Sequence, residues 1–252
     1  FPQYDMSLIE AFGRETELFI AQTINNDASV LELLDANYSF LNERLARHYG
    51  VEGIYGSRFR MTEFRDSSQR GGLLAHGALL TVTSYPGRTS PVLRGKWLLD
   101  NLLGTPSPPP PPNVPVLPEA EAGQVPTSIR ERLARHRQDP VCATCHTIID
   151  PLGFALEYYD PVGRKRSEYR HVEELPVERE GTTFTKKLKF TKVPIESAMK
   201  LPDGREVRDL PTLKAALMAD KERILKGIIG KLISYAHGRE VTRADRPYID
   251  SV

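Results

Sequence analysis

The sequence predicts a mainly α protein: a helical segment, a proline-rich connection, and a helical module into which a small β hairpin is inserted. Three observations carry this. Apolar residues recur at helical spacing in stretches that also hold capping and stop residues, as in TSPVLRGKWLLDNLLG. Five consecutive prolines, Pro108 to Pro112, interrupt the chain between such stretches. Alternation on the strand period is found in REGTTFTKKLKFTKVPIE, at Phe184, Leu188 and Phe190.

The first helix is expected within FPQYDMSLIEAFGRETELFIA, where Leu8, Ile9, Phe12, Phe19 and Ile20 form an amphipathic pattern. A second is expected to open at Ser39 in YSFLNERLARHYG, with Phe40, Leu41, Leu45 and Tyr49 on one face and Gly50 as its stop. The stretch from Leu73 to Val82 is apolar but has no clear period. TSPVLRGKWLLDNLLG is the best-marked helix of the first hundred residues: Ser90 caps it, Pro91 suits its first position and Gly104 closes it. Trp97, Leu98, Leu102 and Leu93 supply its apolar face. Residues 1–104 read as this helical segment, the C-terminal part of a larger upstream domain. Residues 105–118 read as a linker, in which the five prolines favour an extended rod of roughly 15 Å.

Residues 119–252 read as the second module. In PTSIRERLARHRQDP a short helix is expected through Ile129 and Leu133, stopping near Pro140. The alternating stretch lies inside an insertion at about 164–200, with its lysines on a solvated outer face. The last helix is written in KERILKGIIGKLISYAHG, whose apolar stripe runs through Ile224, Leu225, Ile228, Ile229, Leu232, Ile233 and Ala236 to a stop at Gly238.

With 252 residues the chain can bury a substantial core. Its 34 Lys and Arg nearly balance 33 Asp and Glu, so no strong net field points to nucleic acid or to an anionic membrane. No apolar run approaches the roughly 18 to 20 residues of a membrane span. The opening residues lack Met and do not read as a signal peptide, which suggests a processed or C-terminal piece of a longer protein.

The chain's whole cysteine supply, Cys142 and Cys145, sits in VCATCH. In a CxxCH sequence two thiols can bond the vinyl groups of one haem, while the adjacent histidine reaches the iron. A thioredoxin-like dithiol would not require His146. A zinc site would need two further ligands at spacings the sequence does not offer. One covalent haem c, with His146 as proximal ligand, is therefore expected, and the second module becomes a helical c-type cytochrome module. Pro151, Leu152 and Phe154 are expected to line the haem, and a backbone carbonyl near Pro151 to accept from the ring N–H of His146. For the distal position His136 is the first candidate, with Met199 and His237 as alternatives. Met218 is read as core and His76 as structural.

The run HRQDPVCATCHTIIDPLGFALEYYDPVGRKR resembles the signature of the planctomycete-type cytochrome-c-domain proteins, large secreted multidomain proteins whose C-terminal blocks are known as domains of unknown function. ANYSFLNERLARHYG, RGGLLAHGALLTVTSYPGRTSPVLRGKWLLDNLLGTPSPPPPPNVP, LPDGREV and KLISYAHGRE resemble further blocks of that family in the same order. The resemblance implies export, so a periplasmic or extracellular location, and a segment of a longer precursor. The 164–200 stretch is longer than the family's usual connection. The expected function is electron transfer to or from another redox protein or domain. Two alternatives remain at this point: a haem c enzyme, such as a peroxidase or an oxidative degrader of polymers, with an open distal site; and a haem-bearing accessory subunit of a respiratory or photosynthetic complex, docking through the proline-rich stretch or the insertion.

Overall fold

Asp5 accepts a hydrogen bond from the Leu8 amide and so starts α1 (Met6–Asn25). The computed structural model describes residues 3–65, 70–109, 128–175 and 187–251, and the side chains of 170–175 and 187–190 lie outside that description. α1 buries Leu8, Ala11, Phe12, Glu15 and Phe19, whereas Ile9 and Ile20 face outward. The short α2 (Glu32–Asp35) follows, then β1 (Tyr38–Leu41). Ser39 does not open a helix. β1 pairs antiparallel with β2 (Arg60–Glu63), Tyr38 opposite Glu63, and the helix α3 (Glu43–Tyr49) begins after it, capped by Asn42. The β-favouring Tyr38 and Phe40 and the stronger cap at Asn42 account for the shift. Leu8, Ala11, Phe12, Leu41, Leu45 and Ala46 form a first apolar cluster.

The unperiodic stretch resolves into a 3-10 turn at Leu73–Ala75 and α4 (Gly77–Val82). β3 (Ser84–Tyr85) and β4 (Arg88–Thr89) make a tight hairpin over Gly87, whose φ of 85° is the left-handed conformation such a turn requires. α5 (Pro91–Asn101) starts as expected: Ser90 accepts from the Leu93 amide and Pro91 occupies the first turn.

After the proline-rich stretch, and past residues 110–127, which lie outside the described residues, come α6 (Ile129–His136) and α7 (Pro140–Phe154). Pro140 does not simply stop a helix; it begins one. Asp139 accepts from the Val141 amide, and a proline at the first position of α7 gives up no hydrogen bond. β5 (Glu168–Leu175) and β6 (Lys187–Pro194) form the hairpin expected in the 164–200 stretch, with Glu168 opposite Pro194. Leu188 and Phe190 fall on β6; Phe184 lies outside the described residues. β7 (Met199–Lys200) pairs with β8 (Glu206–Val207), and α8 (Leu210–Ala219), α9 (Lys221–His237) and α10 (Arg246–Asp250) complete the chain. The stripe on α9 is buried only near its start, at Ile224; Leu232 is exposed.

Mainly α architecture with small antiparallel strand pairs is thus what the described residues show. One large cluster takes Leu74 and Leu80 from the α4 region, Leu98, Leu99 and Leu102 from α5 and its end, Ile149 and Leu152 from α7, and Leu213 and Leu217 from α8. Residues from both sides of the proline-rich stretch contribute to it. At its centre α5 and α7 run antiparallel, Gly153 against Pro91 and Gly95 against Ile149. Among the described residues no helix is long and apolar enough to cross a membrane.

Candidate functional site

The CATCH residues occupy the first two turns of α7. At 3.6 residues per turn, Cys142, Cys145, His146, Ile149 and Gly153 fall on one face. The far end of that face is the buried seam with α5; its near end carries the two thiols and the imidazole. Both cysteines are free and partly exposed, and Cys145 also packs against the large apolar cluster. α6 delivers the chain to this point. Ser128 and Glu131 form a capping box at its start, Leu133 anchors it in the interior, and a short turn leads from His136 to Asp139.

His146 donates from Nδ1 to Oδ1 of Asp150 at 2.8 Å, one helical turn further along. The Asp150 carboxylate is fully buried, and its other oxygen is taken by the Arg137 guanidinium from the turn before α7. A buried carboxylate without partners would be costly, so this double engagement is what permits it. With Nδ1 committed to Asp150, Nε2 is the ring nitrogen of His146 left for another partner. The expected acceptor, a carbonyl near Pro151, is therefore replaced by a carboxylate. Asp150 and Arg137 were legible only as an Asp four residues after a His and an Arg beside His136, a spacing common on any helix.

Pro151 lies inside α7, which continues through it to Phe154, and Pro151, Leu152 and Phe154 are all buried. The ring of His136 stands edge-on to His146, with centres 4.7 Å apart and planes at 78°. Burial first, and then the neighbouring His146 ring, hold the His136 pKa below its usual value. Met199 sits on β7, which packs on α7. Its cross-strand partner Val207 is fully buried in the large cluster, while the next residue, Lys200, is exposed, so the Met199 face of the strand turns inward. Met218 borders the same cluster. His237 ends α9 in an exposed position. His76 is buried far from these residues in sequence, between Thr16 and Ser39, where burial lowers its pKa.

The residues fit a haem c. Two free thiols three positions apart, an adjacent imidazole with one nitrogen fixed and the other available, and apolar residues around them are the donor set and surroundings that group requires. Among the described residues no group of three or more His, Cys, Asp or Glu is placed to hold a bare metal ion. Haem iron brings four ring nitrogens of its own, so it needs no such group. A groove of about 810 Å³ between α9, α10 and residues 103–106 contains none of the CATCH residues, and its charges are partly paired, Lys226 with Asp250 at 2.7 Å.

Family models match the chain in succession. A protein of unknown function, DUF1592, matches residues 1–51; DUF1588 matches 70–169; DUF1585 matches 203–252. No curated protein and no solved structure matches it. The DUF1588 match contains α5, the proline-rich stretch and all of α7, whereas most of the β5–β6 hairpin falls between the second and third models. These three domains of unknown function, in this order, are typical of the planctomycete cytochrome-c-domain proteins, to which the chain is similar over residues 1–51, 70–169 and 203–252.

Proposed function

We propose that this chain is a c-type cytochrome with one covalent haem, which exchanges single electrons with another redox protein or with further domains of its own precursor in the periplasm or outside the cell. The observation that carries the reading is the arrangement at the head of α7: two free thiols beside an imidazole whose Nδ1 is fixed by a buried carboxylate. Cys142 and Cys145 would hold the haem through thioether bonds, and Nε2 of His146 would take the proximal position. The bound haem supplies a reversible one-electron couple. Pro151, Leu152 and Phe154 are read as the apolar floor on which this end of α7 rests, excluding water from behind the motif. Haem c is attached outside the cytoplasmic membrane, which supports the location. The near-even charge balance favours docking through a local patch over steering by net charge.

For the distal position the packing favours Met199 over His136. A haem held between His136 and His146 would need room that two touching rings do not leave. The His136 and His146 ring centres are 4.7 Å apart and edge-on, so His136 would have to swing away from the ring it now touches. Met199 already lies on an inward strand face against α7.

The test is expression with a haem c maturation system, followed by a pyridine haemochrome assay. The wild type is expected to hold haem that acid acetone does not extract, and a Cys142→Ser/Cys145→Ser variant to lose it. Extractable haem in the wild type overturns the reading. Ferric wild type is expected to be low-spin with the far-red charge-transfer band of methionine ligation, and Met199→Ala to lose that band and become high-spin. A Met199→Ala protein with an unchanged spectrum rules Met199 out. A ferric wild type that is high-spin and shifts with peroxide would favour an enzyme.

A further inference from the structure

Asp150 is the only side chain that the described structure hydrogen-bonds to His146, and it is fully buried. Its position is set by covalent geometry more than by chance packing. It lies four positions from His146 on one helix, so the carboxylate and the imidazole are held one turn apart for as long as α7 is intact. Arg137 reaches the same carboxylate from the turn before α7, with its own side chain 20% exposed, so the pair is closed on one side by a cation that borders solvent.

A carboxylate acceptor acts on an imidazole differently from a carbonyl. It draws the Nδ1 proton more strongly, leaves more electron density at Nε2 and so makes the ring a stronger donor to a metal. A stronger axial donor favours the ferric over the ferrous state. A guanidinium on the same carboxylate works the other way, because it withdraws part of the negative charge that Asp150 offers to the ring.

Resting on the haem reading above, we propose that Asp150 and Arg137 are positioning residues that set the reduction potential of the His146-bound haem in opposite senses, Asp150 lowering it and Arg137 raising it. Asp150 also fixes the tautomer, so that Nε2 and not Nδ1 is presented. Both act through His146.

The experiment is a spectroelectrochemical titration of the full chain, as wild type, Asp150→Asn and Arg137→Gln, each first shown to carry covalent haem by its pyridine haemochrome. Asparagine keeps the acceptor oxygen but not the charge, and the midpoint potential of Asp150→Asn is expected to rise. Each tenfold loss of preference for the ferric state reads as about 59 mV for one electron. Arg137→Gln is expected to move the potential down. A general loosening of the site does not produce two shifts of opposite sign. If Asp150→Asn cannot fold well enough to hold haem, Arg137→Gln decides alone: a potential that is unchanged or raised overturns the proposal. Haem-loaded variants that both keep the wild-type potential also overturn it and leave the cytochrome reading standing. A wild type without covalent haem overturns that reading instead.

Discussion

Replacing Glu157 by alanine is expected to remove about 3–5 kcal/mol of stability, the usual consequence of leaving one member of a buried ion pair behind. Arg94 on α5 and Glu157 just after α7 are both fully inaccessible, with Nη1 of Arg94 3.1 Å from the carboxylate. The same guanidinium donates to the carbonyls of Leu156, Tyr159 and Asp160 and to Ser84 Oγ. Its Nε has no hydrogen-bond partner among the described residues, so the group is already short of one bond. Burial pulls the Arg94 pKa down to about 10, and Glu157 opposes that shift. Glu157 in turn accepts from Thr89, Arg166 and Tyr169. One carboxylate therefore ties α5, the end of α7, the β3–β4 hairpin and the base of the β5–β6 hairpin together. Urea denaturation measures the loss. A paired Arg94→Met/Glu157→Leu change is expected to cost less than Glu157→Ala, because it leaves no uncompensated charge. A Glu157→Ala midpoint equal to that of the wild type would show that the network does not hold the core.

What could be read in the sequence divides along the range of the interactions concerned. Ser90–Pro91 announce α5 because a cap acts over three residues and needs nothing else. The CATCH motif is equally local, since its two thiols and imidazole must lie within one and a half turns whatever the rest of the chain does. Pro140 is a case where one residue supports two local readings, helix stop or helix start, and the neighbouring Asp139 decides between them. Ser39 is misleading for a different reason: its fate as a strand residue depends on β2, about twenty positions away in the chain. The stripe on α9 was legible as a helix face but not as a buried one, because burial depends on where α5 ends. Asp150 and Arg137 were hidden by their ordinariness. An aspartate one turn from a histidine becomes a partner when both are withdrawn from water, and here it is tertiary structure, with Arg137 and His136 closing over the start of α7, that withdraws them.

That packing rests on two glycines, and alanine at either is expected to drive the helices apart. A Cβ on Gly153 would lie 1.8 Å from the Pro91 carbonyl oxygen, and one on Gly95 would lie 2.0 Å from that of Ile149. Both obstacles are backbone, so no side chain can swing aside; the helix axes themselves must move. Overpacking of this kind costs about 1–3 kcal/mol, and with main chain on both sides the upper end applies. Against it stands the preference of a helix for Ala over Gly, worth about 1 kcal/mol. The steric cost wins at both sites. Gly13 on α1 is the internal control, because a Cβ there meets nothing within 4 Å. Gly13→Ala should gain part of that propensity term and raise the melting temperature slightly, while Gly95→Ala and Gly153→Ala lower it. Since Cys145 packs on the cluster that this seam organises, moving α7 also moves the thiols and His146. Haem incorporation measured on the folded fraction of Gly153→Ala should therefore fall below that of the wild type, and a variant as stable and as well loaded as the wild type would show that the helices do not approach this closely.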